Sequence, residues 1–174
     1  MEAAVETILL PDAGPLITLA YAGALDLLRK PGWQVALADM VLHEVTRNET
    51  PTSRNIGEWV KRSAVTVIET AICRDYLRGK GSPSQRKANL GELAVQEVMQ
   101  TFALTGRPRT GVFLFEDHKL ARARFLLPDN CHKISTRAFL IFLEEKGLIQ
   151  SSAAVERAAI QNGRQFSALR FSSP

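Results

Sequence analysis

The chain has 174 residues, 45% of them hydrophobic and 23% charged, a composition that excludes wholesale disorder and a size that suits one domain. Its two cysteines, Cys73 and Cys131, lack a C-x-x-C spacing, which excludes a disulfide framework and a cysteine-based zinc module. The net charge of +4 is unevenly spread, with acids concentrated in residues 1–46 and 89–117 and bases in 47–88 and 118–174, a pattern that suits a polyanion bound beside metal ions. No apolar run is long enough for a membrane span, since the longest, Pro15–Leu28, is broken by Asp26. The acidic start Met-Glu-Ala-Ala-Val-Glu is unlike a secretory signal. A soluble, cytoplasmic protein is the expectation.

Thr7-Ile-Leu-Leu10 reads as a buried strand that stops at Pro11-Asp12. Gly14-Pro15 opens a helix, with proline in the first turn where its missing N–H costs nothing, and apolar spacing carries it to about Leu28. Gln34–Leu37 is a second strand, and Asp39 an N-cap for a helix through Val41, Leu42 and Val45. A helix over Ser53–Lys61 and a β-branched strand over Val65–Ile68 follow. Residues 79–89 form the clearest loop, and Leu90–Leu104 a long helix. The apolar strand Gly111–Phe115 ends abruptly at Glu116-Asp117-His118 and leads into a basic helix, Lys119–Phe125. His132–Ile134 is a short last strand, Thr136 begins a helix, and Ser152 starts an Ala-rich one that closes near Asn162-Gly163. The last eleven residues read as a tail.

Short apolar strands alternating with helices predict an α/β fold, a three-layer α/β/α sandwich with a mostly parallel central sheet. In such sheets ligands bind outside the carboxyl ends of the strands. Asp12 and Asp117 fall at strand ends, with Glu116 beside the latter. Strand alternation is expected to turn Glu116 away from its neighbour. Glu44 and Glu92 lie in helices whose preceding loops reach the same edge, and Gly91 hints at a close approach of backbone or ligand. Glu97 reads as a solvated helix-face residue. Gathered carboxylates repel unless a hard cation such as Mg²⁺ or Mn²⁺ neutralises them, and such an ion activates water and offsets charge on a scissile phosphate.

At this point the sequence resembles the PIN-domain nucleases, in the VapC-like prokaryotic branch. Ile8–Ile17 looks like the opening strand and first acid, and Leu42-His-Glu-Val45 the second acidic site. Asn89–Ala94 resembles the third, Phe115–Arg122 the fourth, and Ile134-Ser-Thr136 the strand end that places a hydroxyl beside the metals. The resemblance covers residues 7 to about 150. It implies a divalent-metal-dependent phosphodiesterase acting on RNA, with Asp12, Glu44, Glu92 and Asp117 as metal-binding acids and Thr136 as the supporting hydroxyl. It also implies a toxin held inactive by a small antitoxin protein. Lys119, Arg122, Arg86 and Lys87 are the candidate contacts to the RNA backbone.

Two features depart from the pattern. Gly14 stands where many members carry Ser or Thr, which removes one polar contact near the first acid. The stretch from Thr50 to Ala88 is longer than in a compact PIN domain. The domain is therefore placed at 1–150 with an insertion around 50–88, and 151–174 as a helix and tail that serve the same domain, a partner or a homodimer. Thr136 has a second reading as an N-cap. A catalytically silent PIN-like module that binds nucleic acid or a partner is the alternative function, and a receiver-like domain is disfavoured because the first strand offers one acid only.

Overall fold

The computed structural model describes residues 5–79, 89–104, 109–116 and 127–165. The elements, in chain order, are β1 (Glu6–Pro11), α1 (Ala13–Tyr21), a 3₁₀ turn (Leu25–Arg29), β2 (Gln34–Ala38), α2 (Asp39–Thr46) and α3 (Pro51–Arg62). They continue with β3 (Thr66–Ile68), α4 (Ala71–Leu77), α5 (Leu90–Leu104), β4 (Arg109–Phe115), β5 (Cys131–Ser135), α6 (Thr136–Glu145) and α7 (Ser152–Gln161). The strands pair in the order β3-β2-β1-β4-β5, every pair parallel.

This is the α/β sandwich that the alternation predicts. Ile8 to Leu10, Val35 to Ala38 and Val112 to Phe115 are buried without a break, so both faces of the sheet are covered. Helix α5 packs on β2 and β4, and α1 on β1 and β4. Gly111 keeps α5 close, because a Cβ there would come 3.1 Å from the Phe102 ring and 2.9 Å from the Cys131 sulfur. No described helix is long and apolar enough to cross a membrane.

Several local expectations change. The helix expected to reach Leu28 stops at Tyr21. Gly23 takes a φ of +63°, its N–H donates to the Ala20 carbonyl, and that of Ala24 donates to Leu19. This paired closure satisfies the last carbonyls and ends the helix. The helix and strand expected after Thr50 are both present: α3 starts on a reciprocal Thr50–Ser53 capping box, and β3 extends the sheet beside β2. Asp39 is the first residue of α2 rather than its cap. Its carboxylate accepts from the Thr70 hydroxyl at 2.7 Å and the Thr70 N–H at 3.1 Å, which ties α2 to the start of α4. Glu97 is not a solvated face residue either. It accepts from the N–H groups of Ala71 and Ile72 at 2.7 and 3.2 Å, satisfying orphan donors at the start of α4.

The Thr70 hydroxyl in turn accepts from the Cys73 N–H. Burial, reinforced by the Asp39 carboxylate, pushes the Cys73 thiol up to about 11. The Cys131 thiol is also raised, by burial, and both are nearly inaccessible. Because the thiolate is the reactive species, native protein at pH 8 should react with a disulfide reagent at least about a hundred times more slowly than protein unfolded in guanidinium. Rapid native labelling of Cys73 would contradict this placement.

Candidate active site

From β1 at the centre, the chain runs outward through β2 and β3, then crosses back to lay β4 on the opposite side of β1. The carboxyl ends of β1 and β4 therefore flank the point where strand order reverses, and the crevice outside them is where open α/β sheets bind ligands. Asp12 directly follows β1. Its backbone N–H donates to the Leu114 carbonyl at 2.8 Å, clamping the end of β1 to β4. Asp12 holds the cap position of α1 but makes no side-chain cap bond, and it is only 1% exposed.

Glu116, the first residue after β4, is equally buried. Its side chain is turned inward between α1 and α6, and the expected divergence from Asp117 concerns a residue outside the described ones. One of its oxygens, Oε1, accepts from the Thr18 hydroxyl of α1 at 2.9 Å and lies 3.1 Å from the Thr136 hydroxyl at the start of α6. The Thr136 hydroxyl is also 3.2 Å from the Phe115 carbonyl, so its single proton is shared between two acceptors. Thr136 is not the cap of α6; Ser135 does that, accepting from the Ala138 N–H at 3.1 Å. This leaves the Thr136 hydroxyl to the buried acid. Gly14 also acquires a reason. A Cβ at position 14 would stand 2.4 Å from Glu116 Cγ, so the missing polar side chain on α1 is matched by a carboxylate arriving from β4.

A further acid, Glu44, reaches the start of α5, where α2 packs on α5. The Gly91 N–H donates to Glu44 Oε1 at 3.1 Å, placing that carboxylate at the positive end of α5. A Cβ at Gly91 would lie 2.8 Å from Glu44 Oε2, which confirms a close approach there and identifies a side chain as its cause. Glu92, the next residue, is 9% exposed. Glu44 also lines a cleft of about 870 Å³ beside α1 and α3, walled in part by Tyr21, Asn48, Asn55 and Asn162.

Arg164, expected in the tail, packs against the site. Helix α7 closes at Gly163, whose N–H donates to Ile160 while that of Arg164 donates to Ala159, a glycine-ended closure. Asn162 Nδ2 donates to the Tyr21 carbonyl at 2.7 Å, and Arg164 Nε to the Thr18 hydroxyl at 2.9 Å. Of the sequence-predicted residues, Asp12 and Thr136 join Glu116 at the strand ends, and Glu44 joins Glu92 at the start of α5. Asp117, Lys119, Arg122, Arg86 and Lys87 lie outside the described residues. Among the described residues, no three acids, histidines or cysteines are grouped as a ready metal site.

No protein-family model matches the chain, and no curated protein does. Among solved structures, the chain is similar to the PIN domain of T. brucei RRP44, with a TM-score of 0.48 and 15% identity over 82% of each chain.

Both glycines yield direct tests. Gly14→Ala should destabilise the fold by about 1–3 kcal/mol, the usual range for overpacking, read as a lowered melting temperature. Gly91→Ala carries two opposed effects, a gain in helix propensity of up to about 1 kcal/mol and the clash with Glu44. It should therefore stabilise the protein in a Glu44→Ala background and fail to do so in the wild type. Equal effects in the two backgrounds would dismiss the Glu44 contact.

Proposed function

We propose that the chain is a PIN-like endoribonuclease that hydrolyses RNA phosphodiester bonds with a divalent metal, working in the cytoplasm. The observation that carries this reading is the placement of Asp12 and Glu116 directly after adjacent parallel strands, both buried at the switch point. The donor set at this edge, carboxylates with threonine hydroxyls, matches a hard oxygen-seeking cation in its chemistry. Asp12, Glu44, Glu92 and Asp117 would hold Mg²⁺ or Mn²⁺, with Thr136 as supporting hydroxyl and Glu116 the rival of Asp117 for the fourth place. The bound ion would supply a water of lowered pKa and neutralise charge on the scissile phosphate.

The chain's own groups do the positioning. Asp12 is fixed through its backbone bond to Leu114, and Glu44 through the amide at the start of α5. Thr18 and Thr136 hold Glu116 in the crevice. Lys119, Arg122, Arg86 and Lys87 would contact RNA phosphates, giving affinity and salt dependence rather than sequence choice. A toxin held by a small antitoxin is the physiological setting we favour, on the strength of the VapC-like sequence resemblance. Of the two features that favour the silent-module alternative, Gly14 and the insertion, Gly14 has a steric account in the approach of Glu116.

Cleavage of a mixed RNA pool with Mn²⁺ or Mg²⁺ tests the reading. Asp12→Asn should lower the rate by roughly a hundredfold or more, and a chelator should abolish cleavage until metal is restored. Equal cleavage by wild type and variant would refute the site. Salt-sensitive RNA binding without cleavage would establish the silent module instead.

A further inference from the structure

We propose that Arg164, delivered by the C-terminal helix, is a positioning residue of the acid site, acting on Glu116 through the hydroxyl of Thr18. The inference rests on the nuclease reading and extends it to a residue 47 positions or more from any acid of the site in sequence. A threonine hydroxyl has one proton and two lone pairs. Arg164 Nε donates to Thr18 Oγ1 at 2.9 Å and so takes one of those lone pairs. The hydroxyl proton is then directed to its other neighbour, Glu116 Oε1, also at 2.9 Å. The result is a one-way chain, guanidinium to hydroxyl to carboxylate, and a guanidinium cannot reverse it because it has no acceptor.

Three features show that this chain is built into the fold. Thr18 and Glu116 are each 1% exposed, so neither has bulk water as a substitute partner. Gly14 leaves the space that the Glu116 arm occupies. The closure of α7 at Gly163 and the bond from Asn162 to Tyr21 aim the chain at α1 immediately before Arg164. Without Arg164, Thr18 Oγ1 is free to rotate and accept, and Glu116 loses a fixed donor. The groups that orient a site's carboxylates commonly carry ten- to a hundredfold in activity or metal affinity.

The test is a double-mutant cycle on the full chain, with Arg164→Ala, Thr18→Val and the pair, scored by kcat and KM for RNA and by Mn²⁺ affinity from titration calorimetry. Each single change should lower kcat by about tenfold or more and weaken Mn²⁺ binding, with KM changed by less than about twofold. The double variant should be no worse than Thr18→Val alone, since both remove one chain. Arg164→Lys should recover part of kcat, as a cation that can still donate to Thr18. As a control, Glu156→Ala removes the Arg137–Glu156 ion pair between α6 and α7 and should leave every readout within about twofold.

Other outcomes overturn the proposal. A raised KM at unchanged kcat would make Arg164 an RNA contact. Tighter Mn²⁺ binding in Arg164→Ala with Thr18→Val silent would reduce Arg164 to a nearby positive charge. Multiplying effects in the double variant would separate the two residues. A wild type that binds Mn²⁺ without cleaving RNA would refute the nuclease reading alone, and the cycle is then decided on Mn²⁺ affinity. A wild type that does neither refutes both.

Discussion

A carboxylate buried beside the sheet is the constraint around which this molecule is arranged. Taking an acid out of water costs several kcal/mol unless hydrogen bonds replace its hydration, and Glu116 is almost wholly enclosed. The replacement comes from segments far apart in sequence. Thr18 belongs to α1, Thr136 to α6, and Arg164, which holds Thr18, follows α7. Three helices are thus tied to the end of β4 by one side chain. The pairing of β1 with β4, locked by the Asp12 N–H on Leu114, then sets Asp12 at the neighbouring strand end. Sheet topology chooses the place, and the needs of a buried charge choose the residues around it.

The same solution appears twice. Gly14 is the second residue of α1 and Gly91 the second of α5. In each case a carboxylate from another element occupies the space where a side chain would begin: Glu116 over Gly14 and Glu44 over Gly91. Glycine within a helix gives up as much as about 1 kcal/mol relative to alanine. That stability is given up twice, at the starts of two helices with acids pressed against them, in keeping with the proposed site. The start of α5 adds a favourable electrostatic contribution, since its unpaired amides carry partial positive charge toward Glu44.

Much of this frame is legible in the sequence because the strands are short apolar blocks. Runs such as Ile8–Leu10 and Gly111–Phe115 can be satisfied only by cover on both faces, so the layered fold follows from them. Helix α5 shows clear bounds, and Asp12, Glu44, Glu92 and Thr136 stand out by their setting at strand ends or first turns. The partners of Glu116 are not legible, because Thr18 and Thr136 lie 98 and 20 residues away in sequence. Glu97 was misread because its partners, the amides of Ala71 and Ile72, lie 26 and 25 residues earlier in the sequence. The break after Tyr21 turns on a single glycine, Gly23, whose left-handed backbone is a tertiary outcome as much as a local preference. Arg164 is the hardest to foresee, since its partner Thr18 is 146 residues away. The one local signal is Gly163 as a helix terminator.

The manner in which α7 is held bears on how the site behaves. Of its residues only Ala159 is fully buried, so packing contributes little, and polar contacts carry much of the docking. At its start, the Ser152 N–H donates to Glu144 at 2.7 Å, and hydrogen bonding from the Ser152 side chain, then from its backbone, draws the Glu144 carboxyl below its usual range. In its middle, Glu156 meets Arg137 near the surface, a contact of the kind worth at most about 1 kcal/mol. At its end, Asn162 and Arg164 fasten to α1. An element with few buried apolar contacts opens at lower free energy than the sheet it covers. Because Arg164 reaches Glu116 only when α7 is docked, the order of the acid site and the docking of this helix are one linked equilibrium. Metal held by the acids and docking of α7 would then favour each other by one shared coupling free energy.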